Sequence, residues 1–368
     1  MLLLQLWKLI LNYFSMPKRL LFYAVSTFIL IVASISFTNF VQNRFGAVSL
    51  SEPGLKTYSS DEMAFLKTFY LMEKGQDYYS AYKTARENYS IGNLISSDVS
   101  TWRMPTVFFL WHIFANSGLG IFRLFVFFLS IFLVCVYLIF KKTYSGKLAI
   151  LSILILLPYL YDTFSYNTSF LFTEWWSLFF FFFALTSLIY KLNWLAIFLF
   201  TLALITREIF IIPMCAFLII QSIQKKEMRT FLFPILLFLP IYALHWFNVS
   251  MIMANNNTHK IQLISRIHKY DLLNLQNMVA FLMRRYVLLG LKTHYLVLFL
   301  GIVSITLNGL FFKRKDLIYF FTTVAAFLIV LPIISVKEND YWGLLFVPLI
   351  LMFVPLIIPV IINIIKTP

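Results

Sequence analysis

Long apolar runs separated by short charged stretches dominate this chain from residue 20 onward. A helix needs about 20 apolar residues to cross a hydrocarbon layer roughly 30 Å thick. The pattern predicts spans at 20–40, 121–140, 148–161, 171–190, 231–250, 293–312, 317–335 and 342–362. The run 194–223 is interrupted by Thr206-Arg207-Glu208. A charged pair in mid-membrane is costly, so this run is divided into two short spans meeting at the pair, for ten in all. The apolar first 14 residues lack a small-residue cleavage site and are expected to form an interfacial or buried helix.

Two polar stretches stand out, 41–104 and 254–291. In the first, Ser59-Ser60-Asp61-Glu62 precedes apolar or aromatic residues at 65, 66, 69 and 72. That spacing predicts an amphipathic helix. Ser59 and Glu62 fit a capping box, and Gly75 fits the residue just past the helix end. A short apolar segment, 105–117, follows the loop.

Composition narrows the class. Of 368 residues, 61% are hydrophobic and 12% charged, against about 25% charged in soluble domains. This excludes an ordinary soluble enzyme, a disordered chain and a disulfide scaffold. The expected fold class is an all-α polytopic membrane protein, one transmembrane domain over 1–368, with amphipathic helices in its first long loop. Cys135 and Cys215 both lie in apolar runs, so no disulfide is expected.

The net charge of +15 first suggests nucleic acid, but its distribution says otherwise. Alternating the ten spans puts fourteen basic and two acidic residues on the side of both termini, and sixteen basic and thirteen acidic residues on the other. The basic loops are short, where the positive-inside rule has force, so both termini are expected to be cytoplasmic. No nucleic-acid partner is expected. The implied location is a plasma or inner membrane, or the endoplasmic reticulum in a eukaryote. Seven of the fifteen acids fall in 41–104: Glu52, Asp61, Glu62, Glu73, Asp77, Glu87 and Asp98.

Asp61 is the leading chemical candidate. A carboxylate in the first turn of a helix is favoured in its ionised form, and an ionised carboxylate can accept a proton from a hydroxyl. Asp61 and Glu62 equally suit a purely capping role. The five histidines show no close metal-ligand spacing; His112 and His245 are expected to hydrogen-bond between helices. No Walker-type phosphate loop or dinucleotide fingerprint occurs.

Further motifs follow: Gln76-Asp77-Tyr78-Tyr79-Ser80-Ala81-Tyr82, then Trp102-Arg103-Met104-Pro105. With Asp61-Glu62, these resemble the first extracytoplasmic loop of the GT-C type integral-membrane glycosyltransferases, which include protein O-mannosyltransferases and aminoarabinose lipid A transferases. Asp162 with Thr173-Glu174-Trp175 looks like the second outer turn of that superfamily. Thr206-Arg207-Glu208 looks like its charged helix break, and Asp340-Tyr341-Trp342 its late aromatic segment, with Asp340 where many members place Arg.

The resemblance implies an extracytoplasmic active site and a polyprenyl-phosphate sugar donor. The acceptor hydroxyl, on a lipid, glycan or protein, would attack with inversion, with Asp61 as base. Glu62 would bind acceptor or metal, or cap. Arg103, Arg207 with Glu208, Glu174 and Lys337 would bind substrate, the cations facing the leaving phosphate; Arg103 equally suits an interface-snorkelling role, and Arg284 and Arg285 are further candidates that suit juxtamembrane anchors better. Tyr78, Tyr79 and Tyr82 would stack on sugar or prenyl chain, or form an interfacial belt. A divalent Mg or Mn held by Asp61 with Asp162 or Glu174 is left open. Two alternatives stand beside the enzyme: a secondary transporter or flippase, and a non-catalytic subunit that binds a sugar lipid.

Overall fold

Helix is the only regular structure among the described residues of the computed structural model, which are 61–89, 102–165, 169–224, 228–254, 272–280, 293–311, 317–334 and 340–366. All of them belong to one unit of the chain, Ser49–Pro368; a separate unit, Met1–Val48, holds the expected span 20–40 outside the described residues. Ser59, Arg284, Arg285 and Lys337 also lie outside them, as do the side chains of Asp162 and Asp340.

The acid-rich loop opens with α1 (Asp61–Glu73), a turn, and α2 (Tyr78–Tyr89). The turn has a clear cause. Gly75 takes φ 89°, a left-handed value that side chains resist. The Gly75 N–H then reaches Met72 O (2.9 Å) and the Gln76 N–H reaches Leu71 O (3.1 Å), which closes α1 in a Schellman motif. Helix α2 folds back on α1 and buries Phe65, Phe69, Tyr78 and Tyr82 between them and α3 (Thr106–Phe114).

Helices α4 (Gly118–Thr143) and α5 (Gly146–Ser165) follow, then α6 (Thr173–Ile189), which lies at the centre. Every residue of α6 except Leu188 is buried. A helix that is apolar on all sides has to be surrounded. Its Trp175, Trp176 and Phe179 pack on Phe125 of α4. Phe181 packs on Phe200 of α7 (Asn193–Thr206) and Phe217 of α8 (Ile211–Ile223). The α6–α7 hairpin turns at Lys191, which takes φ 63°.

Thr206-Arg207-Glu208 breaks the helix as the sequence predicts. Arg207 is extended (φ −146°, ψ 109°), and a 3-10 turn, Glu208–Phe210, leads into α8. Pro213, in the first turn of α8, has no N–H to offer the Ile209 carbonyl, a bond that a continuous helix would make just past the break.

Helix α9 (Arg229–Ala254) carries Pro234 and Pro240 and remains one helix. The second loop is not wholly irregular: it contains α10 (Leu272–Ala280). Helix α11 (Thr293–Thr306) ends in a π turn, Leu307–Phe311, and α12 is Ile318–Ile334. The expected span 342–362 is not continuous. A 3-10 segment, Asp340–Leu345, precedes α13 (Val347–Phe353), a further 3-10 turn (Val354–Leu356) and α14 (Ile357–Lys366). Pro348, Pro355 and Pro359 each remove a backbone donor and break the ladder into pieces.

Two of these helices, Gly118–Thr143 and Arg229–Met253, are long and apolar enough to cross a bilayer. Seven shorter apolar helices accompany them among the described residues. Both cysteines are free.

Candidate functional site

The α6–α7 hairpin places the first charged pair. Glu174 in the first turn of α6 and Arg207 at the end of α7 stand almost equally far from the turn at Lys191. At 1.5 Å per residue both lie about 24 Å from that turn, so antiparallel packing brings them level. Each charge also suits its helix end, an anion at an N-terminus and a cation at a C-terminus. Arg207 Nε donates to Glu174 Oε1 at 2.8 Å. Its Nη2 lies 2.7 Å from the same oxygen but off the line needed to donate, and so has no hydrogen-bond partner. Arg207 Nη1 donates to Glu208 Oε1 at 3.1 Å. Glu174 is fully buried and Arg207 is 1% exposed.

Arg103 joins from the segment ahead of α3. Its Nη2 donates to the Tyr341 hydroxyl at 2.8 Å and lies 3.9 Å from Glu174 Oε1. Two buried guanidinium groups thus face one carboxylate oxygen. Tyr341 is held by stacking on Phe172, with ring centroids 4.7 Å apart and planes 7° from parallel. Its segment is pressed against α10: a Cβ on Gly343 would fall 1.9 Å from the Met278 carbonyl oxygen. Trp342, next in line, has its ring 6.0 Å from the Arg207 guanidinium carbon.

Asp61 completes the group. It forms an ion pair with Arg86 of α2, with side chains 33% and 19% exposed respectively. Asp61 is close enough for its charge to act on Arg103, Tyr82 and Tyr341. Burial lowers the pKa of Arg103, but Tyr341, Glu174, Tyr82 and Asp61 together outweigh it and leave the guanidinium well above its ordinary value. Arg86 is raised too: burial opposes its charge, but Tyr82 and Asp61 more than compensate. Burial pushes the Tyr341 hydroxyl up to about 12, with Arg103 opposing and Glu174 and Asp61 adding. Tyr341 is therefore a neutral hydroxyl at physiological pH.

Of the residues singled out in sequence, Asp61, Arg103, Glu174, Arg207 and Glu208 come together. Glu62 sits half-buried beside Asp61. Tyr78 and Tyr82 are placed differently from either expectation. Tyr78 is 3% and Tyr82 1% exposed, packed among Phe65, Trp102 and Phe108, so neither offers a free ring face. Tyr78 instead donates to the Arg103 carbonyl and fixes that segment. Tyr79 bonds His245 Nδ1 of α9 at 3.1 Å, and His112 of α3 bonds Glu73 of α1 at 2.6 Å. Among the described residues no group of three His, Cys, Asp or Glu could hold a metal ion.

Arg86 escaped the sequence reading. Its signal was its place one helical turn after Tyr82, on the face of α2 that turns toward α1. Phe172 carried no sequence signal beyond being one of many phenylalanines.

Several polar atoms in this group are buried and have no hydrogen-bond partner: Arg103 Nε, Arg207 Nη2, Glu208 Oε2, Thr206 Oγ1 and Trp342 Nε1. Buried polar atoms are normally paired, and a concentration of unpaired ones marks a place where a ligand or water completes the set. Comparison with protein-family models, with curated proteins and with solved structures returned no match for this chain.

Proposed function

We propose that this protein is a multi-pass membrane glycosyltransferase of GT-C type, with ten spans, both termini cytoplasmic and its site on the extracytoplasmic side. The observation that carries the reading is a partly exposed carboxylate, Asp61, whose charge acts on the buried cation Arg103, which in turn shares Glu174 with Arg207. In the proposed reaction the acceptor hydroxyl attacks the anomeric carbon of a polyprenyl-phosphate sugar. The new C–O bond forms as the bond to phosphate breaks, with inversion. The electron pair leaves with the phosphate, and the hydroxyl proton passes to Asp61.

Each group has a physical reason for its role. Asp61 sits in the first turn of a helix and is held by Arg86, a third of its side chain remaining exposed to meet an acceptor hydroxyl. Arg103 holds an unused N–H donor that can meet a phosphate oxygen, where fixed donors in a dry site stabilise developing charge, and Arg207 adds its positive charge through the shared Glu174. Asp61 and Glu174 already bind arginines, so we assign the charge-neutralising role to the guanidinium groups rather than to a divalent cation.

The depth of the site favours an enzyme over a transporter. If the Lys191 turn lies at the cytoplasmic face, about 24 Å of helix carries the cluster close to the opposite face of a roughly 30 Å core. Transporter sites lie near the midplane between paired broken helices.

The test is an Asp61→Asn variant of the full chain, purified in lipid and assayed with a panel of polyprenyl-phosphate hexoses and pentoses. Transfer is expected to fall by about 10²–10⁴-fold while folding is unchanged. Full activity in that variant overturns the base assignment. Sugar-lipid binding by the wild type without turnover identifies a binding subunit instead.

A further inference from the structure

The unpaired atoms around the helix break are of both hydrogen-bonding kinds. Glu208 Oε2 is an acceptor, Arg207 Nη2 and Trp342 Nε1 are donors, and Thr206 Oγ1 is either. Thr206, Arg207 and Trp342 are buried, with 0%, 1% and 6% exposure. Glu208 cannot turn away freely, because its Oε1 is held by Arg207 Nη1.

A phosphate alone does not match this set. It presents acceptor oxygens and negative charge, so it would satisfy Arg207 and Trp342 and would be repelled by Glu208. A ring bearing several hydroxyls does match: one hydroxyl donates to Glu208 Oε2 while its own or a neighbouring oxygen accepts from Arg207 or Trp342. On the other side of Glu174, the unpaired atom among the described residues of this group is Arg103 Nε, a donor, which suits a phosphate oxygen. Irregular backbone within a helical membrane protein is tolerated where it lines such a polar site.

From this division we infer that the break at Thr206–Glu208, with Trp342, reads the hydroxyls of the glycosyl group, whereas the Arg103 side takes the phosphate. The inference rests on the transferase reading and makes Glu208 a specificity residue, not a base.

Affinity of the full chain in lipid nanodiscs, measured for a short-chain polyprenyl phosphate and for the same lipid carrying each of a panel of hexoses and pentoses, tests it. The wild type is expected to prefer at least one glycosylated lipid by about 10-fold or more, the scale on which charge-assisted hydrogen bonds to a hydroxyl discriminate. Glu208→Gln should cut that preference about 10-fold and leave the bare lipid bound within about twofold of wild type or more tightly. Trp342→Phe, which removes one N–H and keeps the ring volume, should cut it by about three- to fivefold and decides the matter should Glu208→Gln not fold.

A wild type without preference, or a preference that survives both changes, overturns the inference. Transfer with an unaltered preference in both variants leaves the transferase standing and removes this subsite. Selective binding lost on Glu208→Gln, in a chain that never transfers, leaves the subsite standing and removes the enzyme.

Discussion

Helix α1 offers a carboxylate to a basic side chain at each end. At its start Asp61 meets Arg86 beside the buried cluster of Arg103, Glu174 and Arg207. About 18 Å along the axis, at its last residue, Glu73 meets His112. That second pair borders an open 520 Å³ groove shared with Asn116, Arg123 and the exposed Ile113 and Phe114. The Glu73 and His112 side chains are 30% and 46% exposed, whereas Glu174 and Arg207 are 0% and 1%. Exposed charges that lose a partner regain water. Buried ones cannot, so similar side-chain pairs have quite different weight at the two places.

The largest expected effect breaks the buried side. Glu174→Gln leaves Arg207 and Arg103 without their shared counter-charge and should cost about 3–5 kcal/mol, read as a drop in thermal unfolding temperature in detergent or nanodiscs. An unchanged temperature would mean that the cluster is open to solvent and that the contrast with Glu73 is false. Next comes Gly343→Ala. Its Cβ has no room against Met278, so the Tyr341–Trp342 segment must shift; about 1–3 kcal/mol of destabilisation is expected, with weaker binding of the glycosylated lipid.

Tyr341→Phe should cost about 1 kcal/mol by removing the Arg103 hydrogen bond. It also carries a pH signature. The folded-state value of Tyr341 is raised, so its contribution to stability is intact below pH 10 and is lost as pH climbs toward about 12. Wild-type stability should fall over that window, and the Phe variant should fall less; parallel curves would remove the buried hydroxyl from the account. The smallest effect is on the exposed end, where Glu73→Gln should change stability by about 0–1 kcal/mol.

Local chemistry made several features legible in advance. Asp61-Glu62 in a first turn, the end of α1 at Gly75 and the interruption at 206–208 all follow from capping, φ preference and the cost of charge in an apolar run. What stayed hidden depends on which elements meet. Nothing near Arg86 names Asp61 as its partner, because that choice is made by the α1–α2 turn. Tyr78 and Tyr82 suit an interface as well as a core by composition, and only the packing of α3 against them decides. The last apolar run looked continuous because its hydrophobicity is uninterrupted, although Pro348, Pro355 and Pro359 had already removed the donors that a single helix needs.

The α6–α7 hairpin also has a consequence for how the chain is made. Glu174 and Arg207 are thirty-three residues apart, and synthesis delivers the acid first. Under the ten-span reading, each charge alone would oppose entry of its helix into the bilayer, by less than the roughly 2.5–3.5 kcal/mol of a charge at the bilayer centre because the pair lies toward one face. Entering together, with the pair formed, the two helices shed most of that opposition. The nascent chain should therefore hold α6 at the insertion machinery until α7 has emerged, and this pair of charges would set an order of assembly as well as a site.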